Sequence, residues 1–120
     1  MRVDFMGQIL VSESASKSNH IARAIDSVLS TPTGYYHTQV QLVATTGSAT
    51  ITTGLTTCLM VYVRAVSAVD GVTPAQITAT LKGESVKAQE LVLFNTDITT
   101  IVLANANAFA VLVEVAAAGV

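Results

Sequence analysis

From Gln39 to Glu114 the chain keeps returning to one pattern. Short stretches alternate apolar and polar residues, and small turn residues interrupt them. Gln76-Ile77-Thr78-Ala79-Thr80-Leu81-Lys82 is the cleanest case, with Ile77, Ala79 and Leu81 on one side and Thr78, Thr80 and Lys82 on the other. Period two is the signature of a half-buried strand, because successive side chains leave opposite faces of the backbone. Gln39–Val43 alternates, and so do Ala49 and Ile51 within 48–52. Leu91–Phe94 and Ile98–Leu103 read as further strands. The run 58–69 is apolar on both sides as far as Val63, which suits a central strand. The last segment sets Phe109, Val111, Val113 and Val115 against Ala108, Ala110, Leu112 and Glu114. Gly47, Gly54, Asp70-Gly71, Gly83, Asn95–Asp97 and Asn105–Asn107 supply the turns. Strands at about 8–12-residue spacing predict an all-β fold, an antiparallel β-sandwich of about seven or eight strands, jelly-roll or immunoglobulin-like.

Composition agrees. Val, Ile and Thr, which pack well on a pleated surface, number 17, 7 and 16 of 120 residues. The stretch 45–57 holds seven of those threonines and is expected to form a Thr-faced hairpin.

Residues 1–37 differ from the remainder. They carry both histidines and three of the six Lys and Arg residues. Phe5–Val11 reads as a short strand, and 12–18 as a Ser-rich loop. Ile21, Ile25, Val28 and Leu29 recur at helical spacing, with Ser18 or Asn19 as a cap and Pro32 as a stop, which predicts one short helix over 19–30. The expected organisation is an N-terminal arm, 1–37, and a β-sandwich body, 38–120, within one domain. The helical stripe either covers the open end of its own sandwich or docks on a neighbouring subunit.

Charge narrows the function. Only 12% of residues are charged and the net charge is −2, so the clustered basic face that nucleic acid requires is absent. Apolar runs of four to six residues are too short for a membrane span. Asp4 interrupts the first apolar stretch and Arg2 alone is a thin basic region, so a signal peptide is not expected. A soluble monomer ordinarily covers itself with mixed charges. Here the surface is either a neutral Thr/Ser lawn or partly interface, and the second is preferred. The one cysteine, Cys58, sits in an apolar run and reads as a buried, inert thiol, consistent with folding in a reducing cytoplasm.

No catalytic or ligand motif appears. His20 and His37 lack the partners of a metal site. The carboxylates fall mostly in turns or at strand ends; Asp70, Asp97 and nearby loop oxygens would be the only calcium candidates, and no EF-hand-like loop supports them. Neither a nucleophile elbow nor a phosphate loop occurs. Glycan binding ordinarily uses exposed aromatic platforms, and the chain has no Trp. No enzymatic activity, cofactor, metal or small-molecule substrate is expected. Tyr35-Tyr36 reads as an anchor against sheet or neighbour.

A distinct N-terminal segment, an Ala/Val/Thr-rich body, low charge and the final strand with its small-residue tail, 105–119, together resemble the small accessory virion proteins of tailed bacteriophages, the capsid decoration or cement class. The resemblance is one of overall style. It implies a non-enzymatic structural protein, made in the host cytoplasm. Such a protein self-associates as a trimer or dimer and binds the outside of a major capsid protein shell, bracing capsomer contacts. The partner-contact candidates are Phe5, Ile9, Ile21, Ile25, Tyr35 and Tyr36. The alternative is a receptor- or glycan-binding sandwich of a tail or fibre.

Overall fold

The computed structural model describes residues 3–12, 20–29 and 33–120. These divide into two compact units, one within 1–32 and one spanning 33–120. No helix occurs among the described residues.

In the first unit, β1 (Val3–Ser12) pairs antiparallel with β2 (His20–Leu29), from Val3 opposite Leu29 to Ser12 opposite His20. The helix expected over 19–30 is therefore recorded as a strand from 20 to 29; Asn19 and Ser30 lie outside the described residues. Ile21, Ile25 and Leu29 are four apart, and four is both about one helical turn and two strand repeats. That spacing fits either element.

The second unit holds eight strands: β3 (Gly34–Leu42), β4 (Ser48–Thr52), β5 (Cys58–Ser67), β6 (Ile77–Leu81), β7 (Glu84–Ala88), β8 (Glu90–Thr96), β9 (Thr100–Ala104) and β10 (Val111–Gly119). They form two antiparallel sheets of four, in the orders β3-β10-β5-β8 and β4-β9-β6-β7. Gly34–His37, grouped with the arm in the sequence reading, are the first residues of β3. The run beginning at Cys58 is a central strand, as its two-sided apolarity predicts. Except for the β6–β7 hairpin, each connection carries the chain to the other sheet. That hairpin turns on Lys82 and Gly83, both at positive φ (52° and 81°), the primed geometry that matches strand twist.

Alternation fills the space between the sheets. Val61, Val63 and Ala65 of β5 and Val111, Val113, Val115 and Ala117 of β10 meet Ile51, Ile77, Ala79, Leu81, Ile101 and Leu103 from the other sheet in one core. Each fully buried Ile101 or Leu103 is worth about 1.5–3 kcal/mol relative to exposure. Ile77, Ala79 and Leu81 face inward as their spacing predicts.

Two expectations are corrected. The Thr-rich stretch is not a hairpin: it supplies β4, which pairs with β9, and 53–57 lead to β5 without strand structure. Phe109 lies before β10 and is partly exposed, so the inward row of that strand begins at Val111.

Asn105 fastens one end of the sandwich. It is 2% exposed. Its amide donates to the carbonyls of Val43 (3.0 Å) and Phe109 (3.0 Å), and its Oδ1 accepts from the backbone N–H (2.9 Å) and side-chain amide (2.9 Å) of Asn107. Asn107 in turn donates to the Gln76 carbonyl at 2.8 Å. At the other end Gly119 passes so close to β5 that a Cβ would lie 1.9 Å from the Thr57 carbonyl oxygen, so no side chain fits there.

Candidate functional site: the outer face of the long-stranded sheet

The alternation that sends valines into the core sends a second set of residues outward. On the β3-β10-β5-β8 sheet the register aligns these in rows. Gln39, Glu114, Arg64 and Glu90 form one row. His37, Ala116, Tyr62 and Val92 form the next, and Tyr35, Ala118, Met60 and Phe94 the one beyond. The charged row alternates in sign from strand to strand, the favourable arrangement for cross-strand neighbours. The other two rows place aromatic and aliphatic side chains around two alanines.

Local bonds hold these side chains in place. His37 Nε2 lies 3.2 Å from Glu114 Oε2, an ion pair when the imidazole is protonated. The rings of Tyr35 and His37 stack, with centroids 6.5 Å apart and planes 12° from parallel. The Tyr62 hydroxyl donates to Glu90 Oε1 at 3.1 Å. Partial burial, then the Glu90 bond and charge, push the Tyr62 phenol up from its ordinary value. Rings held by neighbours lose less freedom when a second surface covers them, so this face is suited to recognition by contact.

The opposite outer face is chemically different. Ser48, Thr50 and Thr52 of β4, Thr100, Val102 and Ala104 of β9, Thr78 and Thr80 of β6, and Ser85 and Lys87 of β7 share it by register. Apart from Lys87 and the apolar Val102 and Ala104, this face consists of hydroxyl side chains, which is the surface that one of the two composition readings described.

The candidate residues separate. Adjacent residues on a strand point to opposite faces, so Tyr35 is outward and 56% exposed while Tyr36 packs against the core. Phe5, Ile9, Ile21 and Ile25 fall in the β1–β2 ladder. Phe5 is opposite Ser27, Ile9 opposite Arg23, Ile25 opposite Gly7 and Ile21 opposite Val11. Sequence reasoning missed Tyr62, Arg64, Glu90 and Glu114. For Tyr62 and Arg64 the signal was the even-numbered alternation from Met60 to Val66, hidden because Tyr62 and Met60 read as apolar; Glu114 was already placed opposite the valine row.

The two loop aspartates have local roles. Asp70 Oδ1 accepts from the N–H groups of Val72 (2.9 Å) and Thr73 (3.0 Å), and Oδ2 accepts from the Thr73 hydroxyl. These bonds, the hydroxyl first, hold its carboxyl down to about 2. Asp97 pairs with Lys82, which lowers its carboxyl as well. Among the described residues no three His, Cys, Asp or Glu side chains group as a metal would need. Cys58 is buried, and desolvation pushes its thiol up. Beside the charged row lies an open depression of about 370 Å³, lined by Arg64, Ala65, Pro74, Ala88, Gln89 and Glu90.

Comparison with protein families, with curated proteins and with solved structures returned no match.

Proposed function

We propose that the 33–120 unit is a jelly roll and that the protein is a non-enzymatic structural component of a virion. On this reading it self-associates and braces the outside of a phage capsid shell. The observation that carries the reading is the strand order. The last strand, β10, lies between β3 and β5, and β9 lies between β4 and β6. Successive strands wrapped in this way from sheet to sheet are the double Greek key of jelly rolls, an architecture that houses viral capsid and lectin domains. The order favours that topology over the immunoglobulin-like one. Fold alone does not assign function. The second support is the aromatic and charged outer face of the longer sheet, set against a neutral Thr/Ser face. A shell offers many copies of one contact, so a modest patch per subunit suffices.

The test is co-sedimentation with shells assembled from the major capsid protein encoded with this chain. Saturable binding at a fixed number of copies per shell supports the reading, and a chain that stays in the supernatant at every ratio contradicts it. A receptor- or glycan-binding module is the second reading, favoured by the depression beside Arg64 and Glu90. Saturable glycan binding that is lost in Arg64→Ala, without shell binding, would replace the first reading with this one.

A further inference from the structure

We infer that β3 is a self-association edge and that two copies join along it, antiparallel, about a two-fold axis at Thr38. The inference deepens the virion reading, because it names the surface through which the chain self-associates.

A strand at the end of a sheet offers unpaired N–H and C=O groups, and proteins blunt such edges with brevity, charge, proline or bulges. The two sheets end on β3, β8, β4 and β7. Three of these are blunted. β4 and β7 have five residues each, β7 carries Glu84 and Lys87, and β8 begins at Glu90. β3 is the exception. Its nine residues, Gly-Tyr-Tyr-His-Thr-Gln-Val-Gln-Leu, include no Asp, Glu, Lys, Arg or Pro. Its ladder with β10 runs from Gly34 to Leu42 without a register shift. Among the described strands it pairs with β10 alone. Nine residues at about 3.3 Å each span roughly 30 Å of backbone.

The occupant follows from the sequence of the edge itself. The register that pairs all nine residues is centred on Thr38. It sets Tyr35 opposite Gln41, Tyr36 opposite Val40, His37 opposite Gln39, and Thr38 opposite its own copy. No like charges face each other, and Thr–Thr is a favourable cross-strand pair. Half-buried Tyr36 and Val40, which lie against the core at the open side, would meet the same residues of the second copy. A two-fold contact requires one patch to complement itself, and this strand does so in that register.

The experiment is solution mass by light scattering of the full chain across the micromolar range, with two sets of variants. The wild type is expected at twice the 12.5 kDa chain mass. His37→Lys with Gln39→Lys replaces two exposed residues and sets lysines opposite lysines across the axis. It is expected to return the mass to one chain with an unchanged circular dichroism spectrum, while His37→Thr with Gln39→Thr keeps the dimer. Thr38→Cys provides a check independent of folding losses. Directly opposite Cα atoms lie about 4.5–5.5 Å apart, within disulfide reach. Mild oxidation is expected to give a reducible covalent dimer that the wild type, with only buried Cys58, does not form. A monomeric or trimeric wild type, a dimer that survives the lysine pair, or the absence of the Thr38→Cys cross-link would overturn the inference. A monomer that still co-sediments with shells would remove the β3 edge and leave the virion reading standing. A β3 dimer that ignores shells would do the reverse.

Discussion

The two sheets of the 33–120 unit share one core and differ in everything they show outside it. One has strands of seven to ten residues and an outer face with Tyr35, His37, Tyr62, Arg64, Glu90 and Glu114. The other has four five-residue strands and an outer face of threonine, serine and small apolar residues with the single charge of Lys87 at its β7 edge. Inward, both obey the same demand for close-packed apolar volume. Outward, nothing in the fold requires tyrosine or paired charge on one sheet and hydroxyls on the other. The difference separates what the fold needs from what the proposed recognition would use. On that proposal the interface lies on the longer sheet.

The largest expected effect tests the shared half of that comparison. Val111 is fully buried at the start of β10. Val111→Asp places an unpaired charge where both sheets meet and should cost about 4 kcal/mol or more, enough to abolish cooperative urea unfolding of the unit. If the two sheets were independently stable, part of the transition would survive. Next is the Asn105 clasp. Asn105→Ala strips the Val43 and Phe109 carbonyls and the Asn107 N–H of their partner. It should lower stability by about 1–3 kcal/mol in chemical denaturation, without changing the mass in solution.

The outward half comes next. Tyr35→Ala should weaken self-association by about 1–2 kcal/mol, measured by dilution in light scattering, and leave the unfolding midpoint nearly unchanged. Equal losses of association and stability would mean that Tyr35 is a folding residue. Asp70 sharpens the account of the loops. Its carboxyl is depressed from 3.8 to about 2, so its contribution to stability is present above 3.8 and disappears as pH falls through about 2. The stability gap between wild type and Asp70→Asn should be constant near neutrality and close between those two values. A gap that persists unchanged into acid would contradict the bonding described. The smallest effect is Thr50→Ala on the opposite face, which should shift stability by less than about 0.5 kcal/mol and leave association untouched.

Much of the fold was legible because alternation is a local signal. Ile77, Ala79 and Leu81 and the Val111–Val115 row follow from period two alone, and the central position of β5 from its two-sided apolar run. What failed depended on pairing at a distance. β4 was placed in a hairpin with its own neighbourhood because sequence proximity is all that a Thr-rich stretch displays; its partner β9 is about fifty residues away. β7 was missed since four of its five residues are exposed and no apolar face marks it. Asn105 carries the look of a turn residue, and only the folded chain buries it and brings the Val43 and Phe109 carbonyls to its amide. Of the outer face of the longer sheet, Tyr35 had been singled out from the sequence, whereas its neighbours Tyr62, Arg64 and Glu114 come together only through register. Phe5, Ile9, Ile21 and Ile25 lie in the β1–β2 ladder, although the spacing that singled out the two isoleucines had suggested a helix.

Amide hydrogen exchange of β3 and β4, at high and low protein concentration, tests the central claim most directly. Among the described strands both are edge strands, one on each sheet. The account predicts that β3 amides gain protection as concentration rises while β4 amides exchange at the same rate throughout. Concentration-independent exchange in both strands, or protection that grows in β4, would contradict it.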